Sequence, residues 1–284
     1  MKRFGNRRFV GSALALLAVW AALWTAAPRA FAESQTVSIL LIGEDRAAEE
    51  SLSKDAQWGR ADAMVVAVMD LTDGAIRLLS IDREYPVELE GHGRSKLNLA
   101  CYFGGPRLVM EKVNELFQLD LTLYASVTKK EMEDLAGLVG KIDVYIGEED
   151  LYIDKSFKKP GVYALSKRQV VKYMGARAQD DDAHRNQRQR AVLTAVFQKL
   201  LAMKPSKALA LLPKALKIMD TNLDAASAMQ MALAVLAHGF CEPVQMRTPE
   251  ASVSTVVNST RVTAVEDMDA EIRRVRSFLY GPQD

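Results

Sequence analysis

Short apolar runs rich in β-branched residues alternate along the chain with longer segments whose apolar residues recur every three or four positions. Thr36–Ile42, Met64–Asp70 and Ile76–Ile81 have the length and composition of strands, and the turn at residues 72–74 predicts a hairpin between the last two. Further strands are predicted over Leu121–Val127, Asp143–Ile146 and Val253–Val257, and helices over Pro106–Phe117, Lys129–Val139, Ser166–Met174, Asp181–Leu201, Pro205–Leu216, Leu223–Leu236 and Ala264–Leu279. This alternation predicts an α/β fold with a mixed sheet, in one domain over residues 37–284.

The first residues have a different pattern. Residues 1–9 carry four basic side chains, and residues 10–27 form an uncharged run rich in Ala, Leu, Val and Trp. This pattern is typical of an export segment, with a cytoplasmic tail at 1–9, a membrane segment at 10–27 and a linker at 28–36. The run is long enough to stay as a single-pass anchor, whereas Ala30-Phe31-Ala32 also fits a cleavage site. Either outcome places the domain outside the cytoplasm, at the cell membrane or secreted.

Composition and motifs exclude several classes of protein. The formal net charge is +1, and no basic face for DNA is evident, so we expect no nucleic-acid partner. The chain lacks the P-loop, the GxSxG elbow and CxxC pairs, and its three histidines are too scattered for a zinc site. The two cysteines, Cys101 and Cys241, are compatible with one disulfide in an oxidising compartment, and the sequence alone does not decide whether it forms.

Arginine is concentrated in one short part of this nearly neutral chain. Four of them occur at Arg177, Arg185, Arg188 and Arg190. In a helix over 181–201, Arg185, Arg188 and Gln189 share the inward stripe of Val192, Val196 and Leu200. Arginine forks in the first turns of a helix match phosphate oxygens, which predicts a phosphate or pyrophosphate site. The alternative is a surface patch paired with Asp180, Asp181 and Asp182, and the apolar stripe is equally compatible with plain core.

Carboxylates and cations also gather where predicted strands begin or end. Asp45 follows the first strand, Arg60 and Asp62 precede the second, and Arg83 follows the third. Ligands of α/β folds bind at strand ends, and a pair of aspartates suits Mg²⁺, although each aspartate alone is also compatible with a turn or cap. Lys96 and Asn98 are predicted in a polar loop, either in contact with phosphate or sugar or simply solvated.

Taken together, five segments resemble the LytR-CpsA-Psr family of cell-envelope enzymes. They are SILLIGEDR at 38–46, GRADAM at 59–64, LLSIDRE at 78–84, KLNLACYFGGP at 96–106 and RNQRQR at 185–190. The resemblance implies an α/β/α sandwich around a central mixed sheet, with an apolar pocket for a lipid tail. It also implies a magnesium-dependent phosphotransferase that moves a glycopolymer, such as teichoic acid or capsule polysaccharide, from a polyprenyl-pyrophosphate carrier to peptidoglycan at the membrane.

The resemblance also implies roles for individual residues. Asp45 and Asp62 would bind Mg²⁺, while Arg83, Arg177 and Arg185 would bind pyrophosphate. Arg60, Lys96, Asn98, Arg188 and Gln189 would support them, and Asp182 matches an acidic position of the family. Arg83, Arg185 and Asp182 are therefore the predicted catalytic residues, with the base that accepts the hydroxyl proton left open between Asp182, a metal-bound group and the leaving phosphate.

This chain departs from the family's usual pattern at several positions. Asp82-Arg83-Glu84 stands where the family usually has Pro-Arg-Asp, Gly175 replaces a frequent arginine, and His184 takes a usual glycine position. Altered substrate choice is one consequence we expect. Two other functions remain open, namely a polyprenyl-phosphate carrier or sensor without turnover, and a lipid-carrier pyrophosphatase that uses water as the nucleophile.

Overall fold

The computed structural model describes residues 36–46, 57–72, 74–176, 182–238, 243–250, 253–257 and 260–281. Its strands are β1 (Thr36–Asp45), β2 (Arg60–Asp70), β3 (Ile76–Ile81), β4 (Pro86–Leu89), β5 (Gly93–Lys96), β6 (Leu123–Thr128), β7 (Ile142–Ile146), β8 (Gly161–Leu165), β9 (Asp220–Thr221), β10 (Val244–Thr248), β11 (Val253–Val257) and β12 (Thr260–Ala264). Its helices are α1 (Leu97–Phe117), α2 (Lys129–Val139), α3 (Lys167–Gly175), α4 (Asp182–Leu201), α5 (Pro205–Leu209), α6 (Leu212–Ile218), α7 (Ala225–His238) and α8 (Met268–Tyr280), and a 3₁₀ helix spans Glu148–Ile153.

A six-stranded mixed sheet in the order β10-β3-β2-β1-β6-β9 forms the centre of the molecule. The β1/β2, β2/β3 and β6/β9 pairs are antiparallel, whereas β1/β6 and β3/β10 are parallel. The predicted hairpin between the second and third strands is confirmed, with Met64 opposite Ile81. The remaining described strands form three two-stranded ribbons, β4/β5, β7/β8 and β11/β12.

Helices cover both faces of this sheet, as the α/β/α sandwich requires. Alternation along each strand sends Leu40, Val66 and Leu79 into the core beneath α1 and α8. Their neighbours Val65 and Leu78 turn to the opposite face, where Leu193 of α4 packs against them. The fold class expected from the sequence is therefore confirmed.

Helix α1 begins nine residues earlier than the periodicity predicts. A predicted start at Pro106 is the restart of the helix after a kink at Gly104 and Gly105, where Gly105 has a φ of +71°. Lys96 and Asn98 are consequently not in a polar loop, because Lys96 ends β5 and Asn98 lies in the first turn of α1. This correction moves both side chains onto regular elements.

The N-terminal predictions fall mostly outside the described residues. The tail at 1–9, the membrane segment at 10–27 and the linker up to residue 35 have no described structure. Within the described ranges, no helix is long and apolar enough to cross a membrane. Cys101 is a buried free thiol, and Cys241 lies outside the described residues.

Candidate functional site

A register shift in the central β1/β2 pair shapes the site. Gly43 is paired with Ala63 and Glu44 with Ala61, so the pairing skips Asp62. A bulge of this kind bends the strand and redirects the side chain of the extra residue. The side chain of Asp62, near the start of β2, therefore does not follow the regular alternation of side chains between the two faces of the sheet.

Two arginines from distant parts of the chain meet at Asp62. Arg83, in the turn after β3, donates from Nη1 to Oδ1 of Asp62 at 3.0 Å. Arg185, in the first turn of α4, donates from Nη2 to the backbone oxygen of Asp62 at 3.2 Å and is 5% exposed. The structure thus brings together three of the residues that the sequence singles out.

Asp45 lies beside this group at the end of β1, paired with Arg60 across the strands. The approach of the preceding loop requires Gly59, because a Cβ atom there would lie 2.3 Å from the backbone oxygen of Asp45. The neighbouring Glu44 is buried and accepts from the backbone N–H of Gly59 at 2.6 Å and from Nε of Arg46 at 2.7 Å. Glu44 was missed by the sequence reasoning, although its parity with the buried Leu40 and Ile42 is a signal for an inward carboxylate.

The turn after β3 also connects the site to β5 and α1. Lys96 donates from Nζ to Oε1 of Glu84 at 2.7 Å. The backbone N–H of Asn98 donates to the carbonyl of Arg83 at 3.1 Å. Among the described residues, the buried Oδ1 of Asn98 and the buried Nε of Arg60 have no hydrogen-bond partner. Glu84 is thus a second acidic group beside the site, held by Lys96.

Asp45 and Asp62 together fit a magnesium ion by their chemistry. They lie at the same end of neighbouring strands, with Asp62 two residues beyond the Arg60 that faces Asp45. The described ranges contain no cluster of three His, Cys, Asp or Glu side chains suited to a metal. Mg²⁺ is commonly held by one or two carboxylates and completes its shell with water and phosphate oxygens, so a pair of aspartates is a sufficient protein contribution.

Arg188 occupies a different environment from Arg185. It donates from Nη1 to Oδ1 of Asp150 at 3.1 Å and from Nη2 to the carbonyl of Ala176 at 2.7 Å. Tyr173 donates its hydroxyl to the other oxygen of Asp150 at 2.8 Å. Burial, followed by the hydrogen bond to Asp150, raises the pKa of Tyr173. Arg188 therefore lies inside a buried ion pair that joins α4 to the 3₁₀ helix and α3.

Two of the predicted site residues, Arg177 and Asp182, lie wholly or partly outside the described residues. Arg177 lies outside the described residues, and Asp182 begins α4 without a described side chain. Gly175 ends α3 in open space, and His184 is exposed on the first turn of α4. The roles of Arg177 and Asp182 stay predictions.

An apolar cavity of about 430 Å³ begins next to the charged group and extends between the sheet and α2, α4, α6 and α7. Its wall includes Gly43, Ala63 and Gln189, the chain neighbours of Glu44, Asp62 and Arg188. The predicted stripe of Val192, Val196 and Leu200 also lines it, while Val192 packs in the core as well. The stripe therefore serves both the core and the cavity.

The structure therefore defines an α/β protein in which a charged group at the strand ends lies next to an apolar cavity. A model of the LytR_cpsA_psr family matches residues 24–271. The chain belongs to that family.

Known proteins of this family are similar in sequence and in fold. Polyisoprenyl-teichoic acid–peptidoglycan teichoic acid transferase TagU of Bacillus mycoides (strain KBAB4) is 30% identical over 170 residues, which cover 59% of this chain and 53% of that protein. The chain thus spans about half the length of this curated relative. The crystal structure of B. subtilis TagV superposes with a TM-score of 0.71 at 22% identity, covering 87% of this chain and 98% of that one. The family protein YwtF (TagT) with bound octaprenyl pyrophosphate lipid superposes at 0.65, with 18% identity and coverage of 87% and 91%.

Proposed function

We propose that the protein is a phosphotransferase that moves a glycopolymer from a polyprenyl-pyrophosphate carrier to peptidoglycan and forms a phosphodiester. The observation that carries this proposal is the meeting of Arg83 and Arg185 at Asp62, directly beside the apolar cavity. A polyprenyl pyrophosphate has the matching shape, with an anionic head for the arginines and a hydrocarbon tail for the cavity.

The relatives support this proposal by what they act on and bind. The Bacillus mycoides relative is named for teichoic acid transfer to peptidoglycan, and YwtF holds octaprenyl pyrophosphate. In this chain, residues of α4 contribute both to the charged group and to the cavity. The same substrate class therefore accounts for both halves of the site.

The chemistry we propose depends on electrostatic stabilisation. Arg83 and Arg185 bind oxygens of the pyrophosphate, and Asp62 keeps both guanidinium groups oriented. An acceptor hydroxyl attacks the phosphorus that carries the glycopolymer, the bond from that phosphorus to the bridging oxygen breaks, and polyprenyl phosphate leaves. Fixed cations stabilise the negative charge that shifts to the leaving group, because they need no reorganisation during the reaction. Asp182 is our candidate for the group that accepts the hydroxyl proton.

Asp45 and Asp62 are the residues that would hold Mg²⁺. The ion, when bound, neutralises charge on the pyrophosphate oxygens. Arg60, Lys96 and Asn98 surround the same region and would add donors to phosphate or sugar oxygens. Arg177 and Gln189 would complete the pyrophosphate ligands. Arg188, which the resemblance also placed among them, donates to Asp150 in a buried ion pair and would act through the position of α4 instead of binding the pyrophosphate.

Membrane attachment is the remaining part of the proposal. A polyprenyl carrier stays in the bilayer, so an enzyme that draws its tail into a cavity benefits from being held at the surface. The uncharged segment at residues 10–27 is our candidate for that anchor.

The test uses the full chain in nanodiscs with a short polyprenyl-pyrophosphate saccharide and a peptidoglycan oligomer, with and without Mg²⁺. We expect a linked product that requires acceptor and metal and that falls by about 100-fold or more in Arg185→Ala, as on loss of one preorganised donor. Arg168→Ala is the matched control, because that arginine side chain is 88% exposed on α3. Release of saccharide phosphate without acceptor would instead identify a pyrophosphatase, and tight lipid binding without turnover would identify a carrier or sensor.

A further inference from the structure

Asp82 directly follows β3 and is buried, and none of its hydrogen bonds described below is made to Asp62, Arg185 or Lys96. Its Oδ1 accepts from the backbone N–H of Glu84 at 2.8 Å, which closes an Asx-turn around Arg83. Its Oδ2 accepts from Nη2 of Arg247 at 3.4 Å, and its own N–H donates to the carbonyl of Thr248 at 3.0 Å. One carboxylate therefore shapes the turn and also attaches it to β10.

The attachment continues to the last helix. The hydroxyl of Thr248 is within 2.7 Å of the hydroxyl of Tyr85, and it also donates to Oε1 of Glu271 on α8. Arg274 of the same helix donates to Glu271 and to the carbonyl of Arg247. These bonds are buried or half-buried, so the partners of Asp82 are themselves fixed in position.

Three groups of the proposed site depend on the turn that Asp82 closes. The turn presents Arg83 to Asp62 and Glu84 to Lys96, and the carbonyl of Arg83 receives the N–H of Asn98. A small rotation of this turn would move all three contacts together. Preorganised donors lose much of their effect when they are displaced by about 1 Å.

We propose that Asp82 is a positioning residue that holds Arg83 in the geometry required to bind the pyrophosphate, an inference that rests on the proposed function. Asp82 does not touch the substrate in this proposal. It acts through Arg83, and the contacts with Arg247 and Thr248 transmit the rigidity of β10 and α8 to the turn.

The test compares full-chain variants by calorimetric titration with inorganic pyrophosphate in the presence of Mg²⁺, together with transfer rates and thermal unfolding. Asp82→Ala should weaken pyrophosphate binding by about tenfold, equivalent to ~1.4 kcal/mol. Asp82→Asn keeps an oxygen for the N–H of Glu84 and should recover most of the affinity. Asp70→Ala is the matched control, because Asp70 closes a similar turn with Thr72 at the other end of β2 and should leave the affinity unchanged.

A double-mutant cycle separates positioning from general stabilisation. In an Arg83→Ala background, Asp82→Ala should cause no further loss of pyrophosphate affinity, because the residue it positions is already absent. An equal tenfold loss in both backgrounds, or no recovery in Asp82→Asn, would overturn the inference. If Asp82 and Arg83 are coupled but no transfer to peptidoglycan occurs, the inference stands and the transferase proposal is refuted. If transfer occurs without this coupling, the transferase proposal stands and the inference is refuted. Failure of the unaltered chain to bind pyrophosphate would contradict both.

Discussion

Arg185 and Arg188 lie three residues apart on α4 and have the same chemistry but different environments. Arg185 donates a hydrogen bond to a backbone oxygen at the edge of the proposed site, whereas both terminal nitrogens of Arg188 donate to Asp150 and Ala176 inside the protein. A buried carboxylate that loses its cation keeps the desolvation cost without the attraction. The two arginines should therefore differ in what their removal changes.

Replacing each arginine by Met tests this difference. We expect Arg188→Met to lower the free energy of unfolding by about 3–5 kcal/mol, because it leaves Asp150 buried without its charge partner. Arg185→Met should change stability less and pyrophosphate affinity more. Urea unfolding and titration with pyrophosphate measure the two effects. Equal stability of both variants would show that the Arg188 ion pair contributes little.

Asp154 provides a pH-dependent contribution to stability near α3. Hydrogen bonds from the backbone N–H of Ser156 and from Lys172 lower the pKa of Asp154 to about 2. Because the pKa is lower in the folded state, the contribution is present above the ordinary value of 3.8 and disappears as the pH falls toward about 2.

An Asp154→Asn variant isolates this contribution. Its melting temperature should lie below that of the unaltered chain at pH 6 and approach it by pH 2, because the unaltered carboxyl is then becoming protonated. Other carboxyl groups titrate equally in both proteins and cancel in the difference. A constant difference from pH 6 to pH 2 would show that the charge of Asp154 is not the cause.

At the scale of elements, the kink in α1 positions an aromatic residue beside the site. Gly105 has a φ of +71°, and a Cβ atom there would lie 2.8 Å from the ring of Trp58. Trp58 directly precedes Gly59, whose backbone is held by Glu44. The absence of a side chain at Gly105 therefore lets the loop before β2 approach the helix.

Gly105→Ala should destabilise the protein and move Trp58. The expected loss is about 1–3 kcal/mol for the left-handed backbone, with the contact to the ring in addition. Replacing Trp20 and Trp24 by Phe leaves Trp58 as the sole tryptophan, so its fluorescence reports the displacement. Gly140→Ala is the control, since its φ is +83° but nothing lies within 4 Å. Equal emission spectra for Gly105→Ala and its parent would contradict the proposed contact.

The sequence predicts elements well where a buried face imposes a period. The helix Lys129–Val139 has the predicted bounds, and the hairpin of β2 and β3 is confirmed. The sequence does not predict strand β5, because its four residues, Gly93–Lys96, are polar and, among the described strands, pair with β4 alone. Periodicity detects burial, whereas such a ribbon is specified by backbone pairing.

Site residues follow the same division. Strand-end position predicted that Asp62 and Arg83 lie close together, the family resemblance added Arg185, and the structure places all three in contact. The helical stripe predicted that Arg188 faces inward, but its ion pair with Asp150 and the contact of Asp82 with Arg247 join residues more than 30 positions apart in the chain. No local pattern specifies such partners, so these features required the tertiary structure.

For the whole molecule, the cavity divides the proposed ligand into a head and a tail. Ala215 of α6 lines the cavity, whereas Lys217 on the same helix is exposed. Ala215→Phe should weaken binding of a long prenyl pyrophosphate by about tenfold or more, because a phenyl ring displaces several methylene groups. The affinity of the Ala215→Phe variant for inorganic pyrophosphate should not change.

Lys217→Phe introduces the same side chain outside the cavity and is the matched control. Isothermal titration with both ligands measures the effects. A parallel loss of affinity for inorganic pyrophosphate in Ala215→Phe would indicate general distortion and would argue against a tail in this cavity.

Helix α4 carries Arg185 in its first turn and the cavity-lining Leu200 in its last, so one rigid rod of about 30 Å spans both halves of the site. A ligand that engages both ends is bound bivalently. Once its head is held, the effective concentration of its tail at the cavity is fixed by covalent connection instead of by diffusion. Free phosphate and free hydrocarbon lack that connection, so neither should compete strongly with a molecule that contains both.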